Sequence, residues 1–245
     1  MAKYSKLTEG GDSYGDVQMY IRVYPNTSNE EGNVNSSSDT VPGALKSACE
    51  QLLSYGSIDY YRIYKFNTAD SDHYPKTDSN NSFQSWLEDG SDNGYGEDLS
   101  SYKGTHLLVG DYNECSTSTA NSAYVVSCGD NAFTTGVGAI SPLSGCSTSK
   151  VKASAVQETL HNFINWESKD VRCLVDCGFT SDDYMYEHAL GERNSSHNTT
   201  PLLTYHPNLN GIGDCSYNGA DNGYTTSLTW CTKEAVKITG NYPSC

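Results

Sequence analysis

The clearest chemical signal in the sequence is a group of polar side chains at residues 157–161. Gln157 and His161 are four residues apart, so on a helix they project from one face. An H-E-x-x-H helix uses this spacing to present two imidazoles to zinc and its glutamate to the metal-bound water. Here Glu158 and His161 match that pattern, and Gln157 stands where the first imidazole would be. The segment therefore predicts one metal-ligating imidazole, His161, and one general base, Glu158.

A metal at this helix needs further ligands, and the sequence offers several. Glu167 lies six residues after His161 and could ligate through a carboxylate oxygen. His188 could replace the imidazole that is missing at Gln157, whose neutral amide is a poor zinc ligand. Two other histidines could complete a set with His161 and Glu167, namely His197 and His206. The predicted metal ligands are His161, His188, Glu167 and Gln157.

The same residues also have an ordinary structural interpretation. A lone histidine near the end of an amphipathic helix often caps the helix or packs into the core, where it interacts with the helix dipole. Glu158 would then be a solvated helix residue. This interpretation predicts no site at all.

Hydrophobic periodicity predicts the elements that must position these residues. The predicted strands are residues 17–24, 60–66, 105–111, 123–126 and 135–140. The predicted helices are residues 42–53, 82–87, 150–166 and 229–239. Residues 172–221 lack a regular pattern and carry several cysteines.

This order of elements indicates an α+β or α/β architecture without internal repeats. We expect a flexible segment over residues 1–15 and one domain over residues 16–245. Within that domain, residues 16–167 would supply the sheet and the site helix. Residues 168–245 would form an irregular, disulfide-stabilised part that ends in a helix.

The layout resembles that of the metzincin class of zinc metallopeptidases. Those domains begin with a strand, a helix and a second strand, followed by a short helix like residues 83–87. A strand of the H-L-L-x-G type follows, similar to residues 106–110, then a segment like residues 123–125 and the zinc helix. The resemblance covers about residues 16–167. After it, residues 200–205 are similar in placement to the methionine-containing turn beneath the metal.

The resemblance implies a metzincin-type domain with a mixed twisted sheet and a long central helix that bears the site. It also implies zinc-dependent attack of activated water on a peptide carbonyl, with Glu158 as general base and Tyr205 stabilising the oxyanion. The chain is also similar to uncharacterised secreted proteins of salt-loving archaea that carry Q-E-x-x-H and E-H-x-L-G segments.

The sequence departs from the metzincin pattern at four positions. Gln157 and Glu167 stand in place of two imidazoles, and Ile164 replaces the glycine that ends the zinc helix. Leu202 or Leu203 occupies the place of the methionine. Because three protein ligands are the minimum for a catalytic zinc site, these losses bear directly on activity.

We therefore expect a metzincin-like domain with a degenerate metal site that lacks ordinary peptidase activity. Its cleft would bind a polypeptide or a small molecule, or serve a different chemistry. One alternative is an active zinc endopeptidase with unusual ligands. The other is a secreted structural or adhesive glycoprotein in which the helix belongs to the core.

Charge narrows the range of partners. Thirty acidic against fifteen basic residues give a net charge of −15, which repels nucleic acid and anionic membrane surfaces. No apolar run approaches the roughly 18 residues of a membrane span. We expect a monomer that binds neither nucleic acid nor membrane.

Cysteines and glycosylation sequons indicate a secreted protein. Nine cysteines without a C-x-x-C pair are typical of an oxidising compartment and predict four disulfides and one odd thiol. Cys245, at the end of the chain, is our candidate for the odd thiol. Five N-x-S/T sequons, at Asn26, Asn35, Asn80, Asn194 and Asn198, agree with this route.

Calcium is a second candidate ion besides zinc. Residues 89–94 resemble the first half of a calcium loop, but Ser100 stands where an EF-hand requires a bidentate glutamate. The stretch 214–223 is better interpreted as a turn region anchored by cysteine. Only loose calcium binding by the acidic loop is therefore expected.

Overall fold

A computed structural model describes most of the elements around the site. It covers residues 4–68, 74–76, 83, 85–87, 104–110, 119–125, 134–140, 147–178, 188–192, 198–203, 215 and 223–241. Helices and strands are both present, so the predicted mixed class of fold is confirmed.

Six strands form one mixed sheet. They are β1 (Tyr4–Gly11), β2 (Gln18–Pro25), β3 (Tyr60–Phe66), β4 (Gly104–Val109), β5 (Thr119–Val125) and β6 (Thr134–Ile140). Their order across the sheet is β1-β3-β2-β4-β6-β5. The four inner strands run parallel, and β1 and β5 pair antiparallel at the two edges. Each of the five predicted strands overlaps a strand of this sheet, with shifts of at most two residues except at the start of β5, which lies four residues before the predicted one.

The alternation of side chains along β2 explains why this strand lies inside the sheet. Met19, Ile21 and Val23 belong to the larger hydrophobic core, whereas Tyr24 belongs to a smaller aromatic core that also includes Leu108. Since successive side chains of a strand point to opposite faces, β2 is buried on both sides. Burial on both faces is typical of a strand inside a parallel sheet.

Strand β1 is an element that the sequence analysis missed. Residues 1–15 were expected to be a flexible segment, but Tyr4–Gly11 pair with β3 along the sheet edge. The pairing shifts register between Lys6 and Thr8, which indicates a bulge. A bulge breaks the period-two alternation that identifies a strand, so the polar segment carries no clear strand pattern.

Residues 83 and 85–87, in the predicted helix 82–87, are helical. Within the described ranges, four further helices accompany the sheet. They are α1 (Thr40–Tyr55), α2 (Thr148–Leu160), α3 (Lys169–Arg172) and α4 (Trp230–Asn241). Helix α1 connects the parallel strands β2 and β3, and it ends at Gly56, whose φ of 77° is in the left-handed region. Helices α1 and α2 pack against each other over the sheet. The larger core extends along the chain from Val17 to Val236.

Helix α2 is shorter than predicted. The predicted helix ran to residue 166, but regular helix ends at Leu160, and Asn162 and Phe163 instead donate backbone hydrogen bonds three residues back. The Asn162 side chain donates to Thr105 Oγ1 of β4 at 3.1 Å. No glycine is needed for this turn, because the contact with β4 and the burial of Phe163 direct the chain off the helix axis.

The opposite face of the sheet holds the aromatic core. Tyr24 lies against Phe66, Phe83 and Trp86. Its hydroxyl is 2.7 Å from His106 Nδ1. His106 is fully buried, and since neighbouring side chains of a strand point to opposite faces, it lies on the face away from the contact between Thr105 and Asn162.

Among the described residues of the second half of the chain, two disulfides are present. Cys173 pairs with Cys177 after α3, and Cys215 pairs with Cys231 of α4. The expectation of disulfides is confirmed for these four cysteines. Cys49 is a free thiol that is buried in α1, 3.5 Å from Met19 Sδ. Cys115, Cys128, Cys146 and Cys245 lie outside the described residues.

We expect Cys49, rather than Cys245, to be the odd cysteine. Its side chain is 1% exposed, and burial raises the pKa of its thiol, so both access and thiolate formation are blocked in the native state. Alkylation of native protein should label no cysteine, and alkylation in denaturant without reductant should label one, at Cys49. Labelling of Cys245 in the native protein would contradict this assignment.

None of the helices in the described ranges is long and apolar enough to cross a membrane.

Candidate functional site

The end of helix α2 carries the predicted general base, Glu158, and two of the predicted metal ligands, Gln157 and His161. Gln157 and Glu158 occupy its last turn, and His161 caps it with an α-helical backbone. The His161 amide donates to the carbonyl of Gln157 at 3.1 Å, so the helical register holds across both residues. As the sequence predicted, Gln157 and His161 therefore share one helical face.

Helix α2 is buried on nearly all sides. Ser147 caps its start by accepting a hydrogen bond from the amide of Lys150. Every residue from 153 to 160 is buried, including Glu158 at 1% exposure and Gln157 at 2%. The interpretation of Glu158 as a solvated helix residue is therefore wrong. A glutamate is almost never this buried unless it is paired, which makes the helix end chemically unusual.

His188 lies in a short helical turn that begins the segment 188–192. Its Nδ1 is 2.7 Å from the carbonyl oxygen of Leu202. A carbonyl oxygen can only accept, so Nδ1 carries the proton, and the lone pair of the neutral ring lies on Nε2. Metal-ligating histidines are commonly oriented by this type of bond to a backbone carbonyl.

Packing between two short segments fixes the position of His188. A Cβ atom at Gly191 would lie 2.6 Å from the Leu203 amide nitrogen, so only glycine permits this close approach. Thr200 and Glu192 add hydrogen bonds, from the Thr200 amide to the Glu192 carbonyl and from the Glu192 amide to Thr200 Oγ1. The segments 188–192 and 198–203 therefore form one packed unit beneath the end of α2.

His161 and His188 meet at this point. Their ring centroids are 4.9 Å apart, and the ring planes cross at 82°. His188 is 6% exposed, and His161 is half-buried. Of the four predicted metal ligands, the structure brings together these two imidazoles.

The distance between the rings fits a shared ion. Two imidazoles on one tetrahedral zinc, each with a Zn–N bond of about 2 Å, have centroids about 5 Å apart. Edge-to-face rings that pack without a metal span about 4.5–7 Å, so the contact by itself does not require an ion. The spacing of the two rings therefore fits both a shared metal ion and direct edge-to-face packing.

Gln157 supplies a second observation at the same place. Its Oε1 is buried and accepts no hydrogen bond from any residue in the described part of the chain. Leaving a buried amide oxygen unsatisfied costs about 1–3 kcal/mol. A cation or a bound donor near the end of α2 would remove this cost.

The structure does not join the other predicted residues to the pair. Glu167 is exposed, and its amide donates to Asn165 Oδ1. Within the described ranges, no three His, Cys, Asp or Glu side chains lie close enough together to hold a metal ion. Tyr205, His197 and His206 lie outside those ranges, as do the acidic loop 89–94 and most of 214–223.

Two groups that shape the site were missed by sequence reasoning. The Leu202 carbonyl orients His188, but a backbone group leaves no mark on the residue type. Asn162 anchors the end of α2 to Thr105, which is 57 residues away in the chain. The sequence did contain a signal for the contact between His188 and Leu202. Gly191 lies three residues after His188 and permits the close packing of the two segments.

No family model matches this chain, and no curated protein is significantly similar to it in sequence.

Proposed function

We propose that this chain is a secreted metzincin-like domain whose degenerate site binds zinc through His161 and His188 and lacks ordinary peptidase activity. The observation that carries the proposal is the apposition of the two imidazoles, 4.9 Å apart. The orientation of His188 by the Leu202 carbonyl supports a ligand role for its Nε2. The cleft would serve to bind a polypeptide or a small molecule.

The order of elements supports the metzincin resemblance. A strand, a helix and a second strand come first, as β2, α1 and β3, and β4 contains most of the H-L-L-x-G segment. The turn at residues 201–203, placed like the methionine turn of metzincins, packs against the helix that bears the site. The fold alone does not define an activity, so the proposal depends on the site.

The donor set argues for binding rather than ordinary proteolysis. A catalytic zinc site uses three protein ligands, and the two imidazoles supply only two of them. Gln157 offers an amide oxygen in place of the third imidazole, which lowers the affinity for zinc. A bound zinc ion would polarise a carbonyl group and lower the pKa of nearby water.

One observation favours the second candidate, an active zinc endopeptidase. Glu158 is held at 1% exposure three residues before His161, where a general base would be needed. In that role its carboxylate would accept the proton of the attacking nucleophile and pass it to the leaving amine. His188 would then replace the missing imidazole, and a further ligand would complete the set.

Secretion is part of the proposal. The disulfides Cys173–Cys177 and Cys215–Cys231 support an oxidising compartment. The net charge of −15 is compatible with a well-solvated extracellular protein.

Zinc analysis combined with a cleavage assay tests the proposal. We expect purified protein to retain close to one equivalent of zinc and to leave a denatured protein substrate uncut. Chelator-sensitive cleavage that is lost in Glu158→Gln would instead establish the endopeptidase. Protein that binds no added zinc and cuts nothing would contradict both zinc-dependent functions.

A further inference from the structure

Three of the five glycosylation sequons fall on described residues, and their asparagines differ in exposure. Asn35 is exposed, Asn198 is half-buried, and Asn26 is only 7% exposed. A glycan is bulky and needs a surface position in the folded protein. Burial therefore separates sequons that are equivalent in the sequence.

We infer that Asn35 carries an N-linked glycan in the secreted protein and that Asn26 does not. Asn35 follows the short 3-10 helix Ser28–Asn33, in the bend that leads to α1. The preceding residue, Val34, is fully buried in the larger core. Val34 anchors the bend, and Asn35 remains at the surface.

A side-chain hydrogen bond of Asn35 survives glycosylation. Lys65 Nζ donates to Asn35 Oδ1. Glycan transfer uses the other side-chain atom, Nδ2, and leaves Oδ1 as a carbonyl acceptor. The Lys65 bond can therefore persist beside a glycan.

The transfer needs only a lipid-linked oligosaccharide as co-reactant. Asn35 Nδ2 forms a bond to the anomeric carbon of the sugar, and the bond from that carbon to the lipid pyrophosphate breaks. The pyrophosphate leaves with the electron pair, and the amide nitrogen loses one proton. No group is oxidised or reduced.

Two hydrogen bonds fix the backbone of the buried Asn26. Its amide donates to the Val109 carbonyl at 2.8 Å, and its carbonyl accepts from the Lys76 amide at 3.1 Å. These bonds hold the end of β2 against β4 and residues 74–76. A glycan attached before folding would prevent Asn26 from reaching this position, so folded molecules that leave the cell carry none.

Replacing the serine at the third position of each sequon by alanine gives a matched pair of variants. Each variant abolishes one sequon and keeps its asparagine. The full chain is expressed through a eukaryotic secretory pathway, and the folded product is deglycosylated enzymatically in ¹⁸O-water and mapped by mass spectrometry. We expect the isotope at Asn35 and none at Asn26. Ser37→Ala should remove one glycan from the intact mass, and Ser28→Ala, at an exposed position, should remove none.

Three results would overturn the inference. They are label at Asn26 in folded secreted protein, an unlabelled Asn35, and a Ser37→Ala variant with an unchanged number of glycans. The host supplies the secretory route, so the outcome does not depend on whether the domain binds zinc.

Discussion

Replacing either His161 or His188 by alanine is expected to weaken zinc binding at least about 100-fold. Loss of a residue that only orients a ligand typically costs 10–100-fold in metal affinity, and loss of the ligand itself costs no less. Calorimetric titration of zinc into metal-free protein measures the change. The two variants should lose affinity to a similar extent, because both rings would bind the same ion.

Glu167→Gln is the matched control for these variants. Glu167 lies six residues after His161 but is exposed, so its replacement should leave zinc affinity unchanged. His188→Ala also removes the donor to the Leu202 carbonyl, and thermal unfolding of the metal-free variant shows whether the fold survives. An unchanged affinity in His161→Ala would refute the shared site.

Replacing Gly191 by alanine is expected to lower the free energy of unfolding by about 3 kcal/mol. The new Cβ would lie 2.6 Å from the Leu203 amide nitrogen and 2.9 Å from Leu203 Cβ, closer than van der Waals contact allows. The backbone of the packed segments must therefore move apart. For a domain of this size the melting temperature should fall by roughly 10 °C.

Gly32→Ala provides the comparison for Gly191→Ala. A Cβ at Gly32 meets no atom within 4 Å, so the substitution should leave the melting temperature nearly unchanged. Zinc affinity should fall only in Gly191→Ala, because movement of the segment 188–192 displaces His188. If Gly191→Ala melts like Gly32→Ala, the close packing of the two segments is contradicted.

The strands were predictable where the chain alternates strictly. Residues 60–66 form β3 with the expected bounds, and β2 differs by one residue at each end. For these strands the local alternation of side chains is sufficient to predict the bounds, because it reflects directly which face of the strand is buried. The polar edge strand β1 was missed because its register shift removes the alternation.

The candidate site was predictable in its parts and not in its assembly. The Q-E-T-L-H spacing identified Glu158 and His161, and His188 was a candidate ligand from its residue type. Their meeting depends on contacts between distant segments, such as the approach of Gly191 to Leu203. The early end of α2 likewise depends on Asn162 and Thr105. Periodicity reports local order and contains no information on such contacts.

The odd cysteine illustrates the same limit. The odd number of cysteines predicted that one thiol is unpaired. Which cysteine it is could be inferred only from its burial in the structure. Cys49 lies on the buried face of α1, among Met19 and other apolar side chains, and neither described disulfide includes it. Sequence position alone favoured Cys245, which lies outside the described residues, so the assignment to Cys49 stays a prediction that the alkylation experiment tests.

X-ray absorption at the zinc edge tests the central claim most directly, since multiple scattering from imidazole rings counts the histidines on the ion. Zinc-loaded protein should give a spectrum with two imidazole ligands, and His161→Ala and His188→Ala should each reduce the number to one. A spectrum without imidazole scattering, or one that neither substitution alters, would show that the two rings meet for packing alone.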